Sequence, residues 1–115
     1  VTLLAVVPGR YDITIYQRAT FRRQITLPLD LTGHQVFAQI WDAKRRNKIA
    51  DFEIDITDEA GGEFDIILDW EETTPLKKAA SWDLMVVYAD QTRDYYIEGL
   101  VTVDTGLTAP EDADA

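Results

Sequence analysis

The chain has 115 residues, 46% of them hydrophobic, and it contains no cysteine. That length suits one domain with a core of its own, and the lack of cysteine excludes a disulfide framework, a thiolate zinc site and a cysteine nucleophile. The net charge of −10 is unevenly spread: residues 1–48 carry a balance of +5 and residues 49–115 a balance of −15. The acidic bulk argues against a nucleic-acid partner, while the split suits subunits that meet basic end against acidic end.

Residues 1–10 open with the apolar Leu3, Leu4, Val6 and Val7 before Pro8-Gly9. This stretch is too short to span a bilayer, which needs about 20 apolar residues, and it lacks the basic start of a signal peptide. It reads as an arm or edge strand of a soluble protein made in the cytoplasm, with no membrane partner.

Strands follow in chain order. From Tyr11 to Gln17, Tyr11, Ile13 and Ile15 share one face; from Thr20 to Leu27, Phe21, Ile25 and Leu27 do, and Pro28 ends the run because it cannot donate to a ladder. Asp30-Leu31-Thr32-Gly33 is a turn. Gln35–Asp42 is the next strand, and Ala50–Ile56 another, with Phe52, Ile54 and Ile56 inward. Between them Lys44, Arg45, Arg46 and Lys48 form a charged hairpin tip of the kind that keeps a sheet edge from pairing with strangers. Glu63–Asp69 follows the Asp58–Gly62 turn with Phe64, Ile66 and Leu68 inward, and residues 71–79 give a short helical crossover that Pro75 limits.

The closing hairpin carries the strongest signal. Trp82, Leu84, Val86 and Tyr88 alternate in its first arm, and Tyr95, Ile97, Gly99, Val101 and Val103 in its second, around Asp90-Gln91-Thr92-Arg93. Met85, Val87 and Leu100 leave both faces apolar, so the hairpin is central or pressed against another subunit. Residues 11–103 therefore predict an all-β, immunoglobulin-like antiparallel sandwich of about seven strands. Residues 104–115 form an acidic tail of low complexity, expected, like the arm, to be ordered by neighbouring subunits.

Candidates for chemistry are few. His34 is the only histidine and reads as a loop residue. Asp55, Asp58, Glu59, Glu63 and Asp65 surround Gly61-Gly62, but Thr57 and Ala60 break the calcium-loop pattern, so a solvated acidic hairpin is the better reading. Trp41 and Trp82 have core-compatible spacing, and Trp70 is the tryptophan expected at the surface, a candidate sugar platform. No catalytic, cofactor or metal site is predicted.

Thr14-Ile15-Tyr16-Gln17-Arg18-Ala19-Thr20-Phe21-Arg22-Arg23 followed by Asp30-Leu31-Thr32-Gly33 resembles the opening of small β-sandwich proteins encoded in the tail region of bacteriophage genomes. Leu68 to Thr73, and Tyr96-Ile97-Glu98-Gly99 with Val101 and Val103, follow the same order, so the resemblance spans roughly Tyr11–Val103. The family often has Gly where this chain has Arg18. The resemblance covers collar and fibre-attachment sandwiches and the attachment domains of baseplate upper proteins. It implies a non-enzymatic virion component, a homo-oligomeric collar, ring or adaptor that attaches tail fibres and contacts other virion proteins. Its expected contacts are the basic tip Lys44, Arg45, Arg46 and Lys48 and the apolar Leu3, Leu4, Val6 and Val7. The alternatives are a capsid decoration protein and a host carbohydrate-binding module. An exposed aromatic row flanked by amides would favour the last of these, and aromatics confined to the core would favour a scaffold.

Overall fold

A computed structural model describes residues 8–77 and 79–110. Among them the chain forms strands β1 (Gly9–Arg10), β2 (Ile13–Tyr16), β3 (Phe21–Thr26), β4 (Gln35–Asp42), β5 (Lys48–Asp51), β6 (Glu53–Asp58) and β7 (Glu63–Leu68), then helix α1 (Trp70–Thr73), then β8 (Ala80–Val87) and β9 (Arg93–Asp104). One sheet has the order β1-β9-β8-β4-β5, with β2 continuing β1 along β9; the other is β3-β7-β6. The two pack as an immunoglobulin-like sandwich, with the last hairpin central in the larger sheet. All pairings are antiparallel except those of β1 and β2, which run parallel to β9.

The alternating residues read from the sequence build the core. Ile13, Ile15, Phe21, Ile25, Phe64, Ile66, Leu68, Trp82, Leu84, Val86 and Val101 are all buried. Phe52 joins the two sheets: its ring lies 5.9 Å from both Phe21 and Trp82. At this residue the expected single strand Ala50–Ile56 divides. β5 stays in the larger sheet, Phe52 N–H still donates to Ala38 O at 2.9 Å, and β6 continues in the smaller sheet. Ile54 and Ile56 keep their inward facing, paired with the buried Ile66 and Phe64, but β6 is the edge of the smaller sheet and Ile56 is left 39% exposed.

A second correction lies in the closing hairpin. Leu84 pairs with Ile97 but Met85 pairs with Tyr95, so Tyr96 is an extra residue on β9. A bulge of one residue exchanges the faces on either side of it. Tyr95 therefore points outward beside Met85, 47% exposed, while Tyr96 packs on the core and its hydroxyl meets that of Tyr88 at 2.5 Å.

β1 and β2 are in register along β9 but part from it at Tyr11-Asp12. There the Asp12 carboxylate accepts the Leu100 N–H at 2.9 Å, and the Tyr11 carbonyl turns inward to accept Trp82 Nε1–H at 2.8 Å. Gly99 makes room for this: a Cβ on it would lie 2.0 Å from Tyr11 O.

Arg18 of the β2–β3 turn reaches the segment that follows β9. Its guanidinium donates to Thr105 O at 2.6 Å and Thr108 O at 3.3 Å. Arg18 itself has a φ of 66°, the left-handed conformation that glycine adopts most readily.

Candidate functional site

Loops gather at two ends of the sandwich, separated by the eight residues of β4, about 25 Å at the rise of a strand. At one end the 27–34 segment meets two turns. Leu27 N–H and Leu31 N–H donate to Gly62 O and Glu59 O, and His34 Nδ1 accepts the Ala89 N–H at 3.0 Å. His34 also stands edge-on to Tyr88 with 5.2 Å between rings, so it anchors the β8–β9 hairpin as a loop residue. The exposed carboxylates Asp30, Asp58, Glu59 and Asp90 collect here. Hydrogen bonds from the Thr32 hydroxyl and backbone hold Asp30 below the usual carboxylate range, and Thr92 does the same for Asp90.

The opposite end carries the β4–β5 tip. It shares a groove of about 430 Å³ with the crossover, lined mainly by Ile49, Pro75, Leu76, Lys44 and Lys77. The four expected contact residues separate into two kinds. Arg45 leans back toward Glu98, 3.9 Å away, and Lys48 bonds Asp51 at 2.8 Å. Lys44 and Arg46 form no ion pair among the described residues. Glu71 and Glu72 of α1 stand at this same end. Asp42 organises the tip by accepting the Arg46 N–H at 2.7 Å and the Asn47 amide at 3.0 Å; these bonds, the backbone one foremost, lower its carboxyl below the ordinary range. Leu3, Leu4, Val6 and Val7 lie outside the described residues.

The acids around Gly61-Gly62 are engaged in structure. Asp55 and Asp65 face each other across β6 and β7, with Arg22 at 3.9 Å and 2.5 Å respectively. Asp58 caps the turn by accepting the Gly61 N–H at 3.1 Å. Among the described residues no group of three His, Asp or Glu converges as metal ligands would.

The outer face of the larger sheet is where chemistry-bearing side chains gather unannounced. Alternation puts Val36, Ala38 and Ile40 inside, so Gln35, Phe37, Gln39 and Trp41 point out. Pairing then aligns them in rows across β4, β8 and β9: Phe37 with Met85 and Tyr95, then Gln39 with Asp83 and Glu98. Phe37 is 47% exposed, as Tyr95 is. Trp41, expected in the core, is half-buried on this face, and its Nε1–H donates to Gln39 Oε1 at 3.0 Å. Gln39 is fixed in turn, its amide donating to Asp51 at 2.9 Å. Burial pushes the Asp83 carboxyl above its ordinary range, with Glu98 adding to the rise and Arg45 opposing it. Trp70 is exposed at 48%, as the sequence suggested, and Trp82 is buried.

The run Gln35, Phe37, Gln39, Trp41 alternates amide and aromatic, a signal present in the sequence but one that only strand pairing makes into a surface. No protein-family model matches the chain, and comparison with the curated proteins finds no match.

Proposed function

We propose that this chain is a non-enzymatic virion component, a sandwich that stacks head to tail into a collar or ring and joins tail fibres to the tail of a bacteriophage. The observation that carries this reading is the placement of Lys44 and Arg46 about 25 Å from the carboxylates Asp30, Asp58, Glu59 and Asp90, at the other end of β4. A contact between unlike ends is heterologous and closes into a ring where the rotation allows. The residues that carry the phage resemblance add support, because they occupy positions with backbone demands. Gly33 has a φ of 77° and Gly99 lets Tyr11 approach.

Exposed ion pairs are individually worth under about 1 kcal/mol, so several must act together, and salt must weaken them. The Debye length falls from about 10 Å at ~0.1 M salt to about 3 Å at ~1 M. Sedimentation of the purified chain is expected to show oligomers at low salt that dissociate at high salt. Lys44→Glu with Arg46→Glu is expected to leave the fold intact, by circular dichroism, and to yield monomers at low salt. Mass spectrometry of purified phage particles and electron microscopy then test the virion setting. A double variant that assembles like the parent chain would remove the head-to-tail contact, and absence of the chain from particles would remove the virion role.

A further inference from the structure

The outer face of the β9-β8-β4-β5 sheet holds a trough that the assembly reading does not use. Its deeper part, about 300 Å³, is floored by Met85, Val87 and Asp83 and walled by Phe37, Tyr95 and Gln39. A shallower extension of about 230 Å³ continues past Asp83 to Trp41 and Arg45. Rows on a strand face are two residues apart, about 6.8 Å. The apolar row of Phe37, Met85 and Tyr95 and the ring of Trp41 are thus separated by a polar row of Gln39, Asp83 and Glu98, over about 14 Å.

We propose that this trough binds a short stretch of a neutral polysaccharide, its sugar rings stacking on Tyr95, Phe37 and Trp41 and its hydroxyls donating to Asp83. Three features favour that occupant. Sugar rings present apolar C–H faces and polar rims in alternation, which is the order of the rows. The Asp83 carboxylate accepts no hydrogen bond from any described residue although it is half-buried, and hydroxyl groups supply the donors it lacks. The Trp41 platform is already fixed through Gln39 to Asp51, so little freedom is lost on binding.

The same features disfavour other occupants. A protein partner would have to desolvate Asp83 at the centre of its contact, where charged residues are normally depleted and an unpaired carboxylate is costly. Nucleic acid and acidic glycans would meet Asp83 and Glu98 in mid-trough, where Arg45 already faces Glu98 and Arg93 stands at the far end of the lining.

The test is a titration of the isotopically labelled chain with maltohexaose, cellohexaose and chitohexaose at millimolar concentration, followed by amide chemical shifts. At least one sugar is expected to give saturable shifts confined to Gln35–Asp42, Asp83–Val87 and Arg93–Glu98. Tyr95→Ala and Asp83→Asn are each expected to weaken binding about tenfold, with Trp70→Ala unchanged. These side chains lie outside the core, so a melt no lower than that of the parent identifies variants that remain folded. Unchanged spectra with all three sugars overturn the proposal. Shifts centred on Trp70, or self-association through these rows in the absence of sugar, overturn it as well. Sugar binding that survives both trough variants does so too.

Discussion

Gly99, Tyr11 and Trp82 form the tightest local constraint in the molecule. The indole satisfies a carbonyl that has left its ladder, and only a residue without Cβ permits the approach. Gly99→Ala must push β1 and β2 off β9, and an overpacking cost of about 1–3 kcal/mol is expected. Trp82→Ala or Phe64→Ala removes a fully buried ring and is expected to cost about 3–5 kcal/mol, read by denaturant titration. Trp82→Phe keeps most of the volume but strands the Tyr11 carbonyl, for a smaller loss of about 1–3 kcal/mol. Asp83 gives a pH signature. Its carboxyl is raised in the folded chain, so the fold binds that proton more tightly than the unfolded chain does. The resulting penalty is absent below the unfolded pKa and grows as pH rises to the folded one. Asp83→Asn is accordingly expected to melt higher than the parent at neutral pH. The difference should vanish in acid, and a gap that persists unchanged at low pH would refute this assignment.

Among the elements, the β2–β3 turn and the segment after β9 depend on one another through Arg18. The left-handed conformation costs a non-glycine residue about 1–2 kcal/mol, and the two bonds to Thr105 and Thr108 offset part of it. Arg18→Gly relieves the turn while freeing the segment. The melt is expected to stay near that of the parent, and amide exchange at Gly106 and its neighbours to accelerate. Arg18→Ala loses the bonds and keeps the strain, so it should be the less stable of the two. Equal melts for the two variants would show that the turn carries no strain. α1 is secured from the same turn: the buried Thr73 hydroxyl donates to Ala19 O at 2.9 Å.

For the molecule as a whole, Phe52 is the link between layers, touching Phe21 of the smaller sheet and Trp82 of the larger. One aromatic cluster spanning both sheets predicts a single cooperative transition, with tryptophan fluorescence and far-ultraviolet circular dichroism coinciding. Phe52→Ala is expected to lower stability by about 3–5 kcal/mol and to separate the two curves if the layers can then loosen independently. Coincident curves at unchanged stability would show that the sheets are coupled elsewhere.

Period-two alternation was enough to identify the inner faces of β2, β3, β7 and β8, because a side chain's facing within one strand depends only on its own spacing. Turn residues such as Asp30, Gly33 and Pro28 were legible for the same local reason. The break at Phe52, the outward turn of Tyr95 and the exposure of Ile56 were not. Each depends on which strand lies alongside: a bulge reverses the facing of Tyr95 without altering the local pattern, and an edge position leaves Ile56 uncovered although it faces inward. The candidate sites divide likewise. Lys44, Arg45, Arg46 and Lys48 are neighbours in the chain and so were visible as a cluster, whereas their partners Glu98 and Asp51 were assigned by folding. Phe37, Trp41, Asp83 and Tyr95 come from three strands, and cross-strand register alone brought them onto one face.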